Sequence, residues 1–576
     1  MNQISARPGT TNRRTPIRFA LGSLLCILFA MTYHLPAQIA AGGLTGTVRD
    51  TSGAIVVGAT MTLTNSDTGA TIQAPSTSTG TYVFEAVNPG TYTLRASSPG
   101  FKSFSSSGVE IHIQRTATID INFEPGSVSE QVVVTAAAPL LQAEDAAVGQ
   151  TIDARTVDAM PLANRDWTSL AQLAAGVAPI AGGSSTSSNY SVNGLNYFQN
   201  DFRLNGIDDN IEVYGGNPSN ASIIPPPDAI QEFKLQSGDF SAEFGHSAGG
   251  VINAVVKSGG NHVHGDFWEY IRNDMFEAND YFNKQNQIAN GLKNKPSAYH
   301  QNQFGGTVGG PVYIPKLYNG RDKTFFFFDY QGTRIVQPAN SFSTVPTASM
   351  VSSGFTNLQD LITDNSGARQ DALNRNFPLG TVFDPSTTRS VAAGAVDPIS
   401  GFINNTSDTI SVRDPFFSGG SIAGISDYTT HTSQLNLLPA SRLDPNALKL
   451  LQLYPKANRS GFTNNYFQTP KSPNVTNSFD TRIDQNIGSK NFVFGVFDWN
   501  HNTIFQPPLL PGLANGQNYG TGTTAVKTYA VAIGYTHLFT PTLTNEFHFG
   551  LLHLTAATVP PEGQTLGNLC TGMRFS

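Results

Sequence analysis

Charge is what this chain of 576 residues has least of: Asp, Glu, Lys and Arg together make up 13%, about half the usual share of a soluble protein. Cysteine is nearly absent, with Cys26 and Cys570 alone. If the N-terminal segment is removed on export only Cys570 remains, which excludes an internal disulfide and a cysteine-based metal site. No apolar run reaches the roughly eighteen residues that a membrane-spanning helix needs, and the mean hydropathy is -0.18. Catalytic signatures are missing as well: there is no Walker A sequence, no HExxH and no G-x-S-x-G elbow. The chain is therefore expected to be no enzyme and to use no cofactor. Its length is too great for one compact core and implies roughly three or four domains.

What is present favours β-structure, with 55 Gly, 37 Phe and 18 Tyr. Residues 1–37 read as a secretory signal, with Arg7, Arg13, Arg14 and Arg18 ahead of a short apolar stretch and cleavage expected after Ala37. A membrane anchor is the competing reading, but stop-transfer flanks are missing. Losing those four arginines makes a chain of formal net charge -7 more acidic still, which argues against a nucleic-acid partner.

Residues 42–124 show short alternating strands broken by turns, the pattern of a β-sandwich. Val57, Ala59, Met61 and Leu63 share one face, and Ala117, Ile119, Ile121 and Phe123 repeat the alternation. Ser52-Gly53, Thr79-Gly80, Pro89-Gly90 and Pro99-Gly100 supply turns. The phrases Gly46-Thr47-Val48-Arg49-Asp50, Gly80-Thr81-Tyr82-Val83-Phe84 and Pro89-Gly90-Thr91-Tyr92-Thr93-Leu94 resemble the carboxypeptidase regulatory-like domain, a relative of starch-binding-like modules. That resemblance implies no peptidase activity; carbohydrate binding stands by analogy beside a role as spacer or docking module. His112, the only histidine of this segment, cannot form a metal site alone.

A linker is expected over 125–142. Within it Glu130, Val132, Val133, Val134, Thr135 and Ala136 resemble a TonB box, a short extended segment that can add to a sheet edge of a partner. The same valines also suit a last sandwich strand. Further on, Ile230 and Glu232, then Phe244-Gly245, then Gly249-Gly250-Val251-Ile252-Asn253 running into Val255, Val256 and Lys257, resemble the end of the plug of TonB-dependent outer-membrane receptors. The plug is expected over 143–260, with a short packed helix at 166–173 through Leu170 and Leu173, an Asn205-Gly206 hairpin turn, and Gly249-Gly250 explained by backbone crowding.

A plug implies a surrounding barrel, expected over 261–576. Tyr529, Val531, Ile533 and Tyr535 alternate with Ala530, Ala532 and Gly534, which suits lipid outside and a filled lumen inside. Phe547, Phe549 and Leu551 oppose Thr544, Glu546 and His548 likewise. Asp480, Arg482 and Asp484 on one inward face suit a wet lumen. Further strands are expected at 264–273, 303–313 and 323–334, and residues 335–477 read as a long region with few strands and one helix capped by Asp444. Phe326-Phe327-Phe328-Asp329-Tyr330-Gln331-Gly332 and Phe479-Asp480-Thr481-Arg482-Ile483-Asp484 resemble the Oar-like branch of these receptors. About seven wall strands are legible, where a complete barrel of this kind has about twenty-two, so a truncated barrel is expected. His262, His264 and Asp266 share a strand face that suits either a metal or, by the commoner reading, an exposed rim; no metal site is expected.

The fold expected is thus mainly β: a sandwich, a small α/β plug and an incomplete antiparallel transmembrane barrel. The resemblance implies an outer-membrane receptor that takes up an unidentified ligand, driven by the TonB-ExbB-ExbD complex, with membrane lipid around it and a carbohydrate or other extracellular ligand. The alternative is a surface adhesion or carbohydrate-binding protein without transport.

Overall fold

The computed structural model describes residues 41–128, 131–135, 147–162, 165–180, 190–211, 221–241, 244–245, 248–289, 293–338, 340–363, 367–515, 521–540 and 543–561. The expected signal segment, and Glu130 and Ala136 of the expected box, lie outside them.

Nine strands build the sandwich: β1 (Gly42–Asp50), β2 (Thr60–Asn65), β3 (Thr71–Pro75), β4 (Thr81–Val87), β5 (Gly90–Ser97), β6 (Ser103–Ile111), β7 (Thr116–Thr118), β8 (Ile121–Phe123) and β9 (Gln131–Thr135). One sheet is ordered β4-β1-β7, with β8 also pairing β1, and the other β3-β2-β5-β6-β9. Alternation puts Met61 and Leu63 inside with Leu44, Val48, Tyr82, Phe84 and Leu94, all buried. Val57 departs from the expected face: it precedes β2 and is exposed. The expected strand around Ile119 is split, because the Asp120 carboxylate accepts from the Thr47 amide and hydroxyl, each at 2.7 Å, and bends the chain between β7 and β8.

The plug comprises β10 (Val148–Asp153), β11 (Val177–Pro179), β12 (Tyr190–Val192), β13 (Asp201–Leu204), β14 (Ile207–Asp208), β15 (Ile230–Gly238) and β16 (Val251–Val256). Its main sheet runs β10-β15-β16-β13-β14, with β10 at one edge. Asp153 caps the helix Ala154–Ala159 by accepting from Thr156 N. The expected packed helix is the 3-10 helix Trp167–Leu173, capped by Asp166; it buries Trp167 and Leu170, while Leu173 points to solvent.

The wall contains β17 (Phe267–Asn273), β18 (His300–Pro311), β21 (Thr324–Pro338), β28 (Lys471–Ile487), β29 (Asn491–Gln506), β30 (Gly522–Thr540) and β31 (Leu543–Val559), paired antiparallel in that order. Between β18 and β21 sits a ribbon of β19 (Tyr313–Ile314) and β20 (Tyr318–Asn319). Among the described residues these seven wall strands form an open sheet, in which β17 and β31 are not paired with each other and the barrel is not closed. The long region after β21 has more structure than its sequence announces. It holds β22 (Ser341–Ser343), β23 (Ala368–Gln370), β24 (Asn376–Pro378), β25 (Phe383–Val391), β26 (Ile410–Pro415) and β27 (Tyr466–Gln468), joined as three two-stranded ribbons. Its helix Pro445–Leu451 is capped by Asp444, which accepts from Asn446 N at 2.7 Å. Two small cores support the region, one around the stacked Phe377 and Tyr428, whose ring centroids lie 4.7 Å apart. Four of these six strands are three residues long, too short to show a period, and the pairing of β25 with β26 shifts register between Asp384 and Arg389.

Outward and inward positions follow the alternation. Tyr529, Ile533, Phe547, Phe549 and Leu551 are exposed, whereas Ala530 and Ala532 pack against the plug. The outward row is what a lipid-facing wall requires.

Candidate functional site

The plug sheet has one apolar and one polar face. Phe202, Leu204, Phe233, Leu235, Ile252 and Ala254 join the core with Trp167, while Glu232, Lys234, Gln236, Asn253, Asp201 and Arg203 occupy alternate positions and are buried as well. Ile230 opposes Val256, and after a bulge Glu232 opposes Val255. A Cβ on Gly249 would lie 2.5 Å from Asn200 Oδ1, and one on Gly250 2.9 Å from a Val192 methyl. Crowding at this pair therefore comes from the turn before β13 and from β12. Gly245 meets no described atom within 4 Å. Phe244 is buried, with the Arg203 guanidinium 5.4 Å from its ring centroid.

Plug and wall meet through a few defined contacts. The Arg165 guanidinium stands 4.0 Å over the Tyr270 ring and 5.5 Å over Trp268, and it pairs with Asp228. Arg482 Nη1 donates to the Val256 carbonyl at 3.0 Å, and its Nη2 to Asp484 Oδ1 at 2.9 Å; Ser258 Oγ donates to the other Asp484 oxygen at 2.7 Å. A Cβ on Gly550 would lie 2.7 Å from Ile207, so the wall is thinned where the plug turn touches it.

Asp480, Arg482 and Asp484 do face inward and are buried, with Arg482 and Asp484 held against the plug at Val256 and Ser258. Asp480 sits in a row with Asp329 and Asp498 on the flanking strands, and all three are fully buried. Among the described residues no donor outside this row reaches their oxygens, and the three carboxyls face one another. His262, His264 and Asp266 lie on an exposed stretch, and among the described residues no group of three or more His, Cys, Asp or Glu is arranged to hold a metal ion. Tyr190 is fully buried inside the plug, and Trp268 is engaged by Arg165.

A junction between sandwich and plug was not legible in the sequence. Glu232, on the strand that carries the plug motif, accepts from His112 Nδ1 at 2.8 Å and from the Ile113 amide; Lys234 Nζ donates to the Gln114 carbonyl at 2.6 Å. These sandwich residues lie about 120 positions upstream. The Glu232 hydrogen bond raises the His112 pKa above its ordinary value, against the opposing effect of burial.

Of the expected box, Val132, Val133, Val134 and Thr135 lie in β9, which pairs in parallel with β6 as an edge of the sandwich sheet. Val133 is 65% exposed there. Among the described residues one side of this strand is unpaired, the form a strand-adding partner needs.

Comparison with known proteins places these units. Residues 255–573 match the model of an outer membrane beta barrel domain, residues 43–124 a carboxypeptidase regulatory-like domain, and residues 142–251 a TonB-dependent receptor plug domain. The TonB-dependent transporter Oar of Myxococcus xanthus is 27% identical over 273 residues, which is 44% of this chain and 24% of that protein. The chain thus spans about a quarter of the curated relative it matches. Solved structures similar to it include the outer membrane transporter YddB from Escherichia coli, at 12% identity over 71% of this chain and 48% of the other, with a TM-score of 0.32. The siderophore receptor PirA from Acinetobacter baumannii has 13% identity, the same coverages and a TM-score of 0.30. With a barrel match over more than half its length, the chain belongs to the outer membrane beta barrel family, and matches to a TonB-dependent receptor plug domain and a carboxypeptidase regulatory-like domain lie ahead of the barrel.

Proposed function

We propose that the chain serves ligand-gated active uptake across the outer membrane, driven by TonB with ExbB and ExbD acting on residues 130–136. The observation that carries this reading is the plug's position: its core is shared with Phe327, Val496, Ala530 and Ala532 of the wall, so passage along that wall requires the plug to move. Work must then come from outside the protein, because breaking the Arg482 and Arg165 contacts uncovers buried charge. The open edge of β9 supports residues 130–136 as the point where a periplasmic partner adds a strand and pulls. In this reading residues 1–37 are a cleaved export signal, the sandwich (42–124) and linker (125–142) are periplasmic, and the plug (143–260) gates the wall (261–576). The chain acts as a receptor and not as an enzyme, and its ligand enters from outside the cell.

The test is capture of the full chain by the purified periplasmic domain of TonB. Wild-type chain should be retained, and a chain lacking 130–136 should not; equal retention of both would move the coupling segment elsewhere.

A further inference from the structure

The plug's edge strand ends on a like-charge pairing in which one partner, Glu232, is compensated from outside the plug. Asp153, the last residue of β10, lies directly opposite Glu232 of β15. Like charges facing each other on neighbouring strands push those strands apart, and among the described residues β15 is the one sheet neighbour of β10. Within the plug, Asp153 is helped by the Thr156 amide and by Arg155. Glu232 instead takes its hydrogen bonds from the sandwich, at His112 Nδ1 and the Ile113 amide, and the charge of His112 acts on Asp153 as well. Other charged groups facing His112 are Glu110, whose carboxylate lies 3.6 Å from Nε2, and Arg115.

The docked segment is held in a shape it would not choose alone. Gln114 has a φ of 51°, the left-handed region that non-glycine residues avoid. Its amide is tied to Ala41, its carbonyl to Lys234, and its neighbour Ile113 is completely buried. This segment directly follows β6, and β6 in turn holds β9 through pairs running from Ser103 with Gln131 to Ser107 with Thr135. One strand of the sandwich thus links the candidate coupling segment to the residue that steadies the plug edge.

We propose that the sandwich is a catch on the plug: His112, Ile113 and Gln114 hold β10 closed against β15 by satisfying Glu232, and pulling β9 away from β6 releases them. Only the trigger rests on the coupling proposed above; the catch does not. Glu232 acts as a positioning residue, through the edge strand it steadies.

Amide hydrogen exchange on the full chain in detergent micelles, without any partner, tests the catch. Replacing His112→Ala should make the amides of β10 exchange about tenfold faster than wild type while β2 keeps its protection. Unchanged β10 exchange would overturn the proposal. If β2 loses protection too, Lys234→Met, which leaves the sandwich sequence intact, decides by the same β10 readout: faster exchange supports the catch and an unchanged rate overturns it. The trigger is read in a chain with Cys26→Ser and Cys570→Ser that carries Ser105→Cys and Val133→Cys, partners in register on β6 and β9. Adding the TonB periplasmic domain should speed β10 exchange in the reduced chain and not in the cross-linked one. An equal response in both would overturn release through β9. Failure of the coupling itself would appear as no capture by TonB, with the partner-free result unaffected.

Discussion

Arg482 of the wall and Val256 of the plug are joined by a 3.0 Å hydrogen bond, from guanidinium Nη1 to the main-chain carbonyl that ends the plug's last sheet strand. The same side chain neutralises Asp484, which also accepts from Ser258. Removing the guanidinium would leave a buried carboxylate without its counter-ion. Arg482→Ala is expected to cost about 3 kcal/mol or more, seen as a lower midpoint when plug unfolding is followed in detergent. Arg482→Lys should recover only part of it, since a single ammonium cannot reproduce the fork.

Gly249 and Gly245 differ in what a methyl group would meet. Gly249→Ala drives a Cβ onto Asn200 Oδ1, whose side chain bridges the Gly250 amide and the Tyr190 carbonyl at 3.0 Å each. A loss of about 1–3 kcal/mol is expected. Gly245→Ala should fall within about 0.5 kcal/mol of wild type. Parallel chemical denaturation of the two variants checks the contrast.

Docking of the sandwich should depend on pH with a definite sign. Because the docked His112 binds its proton more tightly than a free imidazole, the contribution is fully present below the free value of about 6.5 and is lost as pH rises through the raised value. Protection of β10 amides, corrected for the intrinsic pH dependence of exchange, should therefore weaken from about pH 6 to pH 8. In His112→Asn the corrected protection should stay flat over that range. A wild-type profile as flat as the variant's would remove His112 from the junction.

Arg375 is completely buried in the region between β21 and β28, paired with Asp371 at 2.7 Å and Asp414 at 2.9 Å. Arg375→Ala removes the counter-ion of Asp371 and leaves Asp414 to Arg389 alone, and is expected to open this region by about 3 kcal/mol. Limited proteolysis should then cut within 340–470 while the wall strands stay intact. Equal digestion of wild type and variant would show that the network does not hold the region together.

Alternation along each segment was enough to find the seven wall strands, the sandwich faces and the outward rows of Tyr529, Phe547 and Phe549, since a strand's two faces follow from a period of two that any short window shows. The Gly249-Gly250 turn was legible for a related reason: a glycine pair at a strand entry signals close approach, though not what is approached. Tertiary structure decided what each face meets. It placed Arg482 and Asp484 against the plug, made Val132 to Thr135 the edge of the sandwich, and folded the region after β21 around Arg375 and Tyr428. Above all it brought His112 to Glu232. A histidine between two short strands carries no local mark of its partner, because burial and electrostatic compensation depend on distance in space, and a separation of 120 residues leaves no trace in any sequence period.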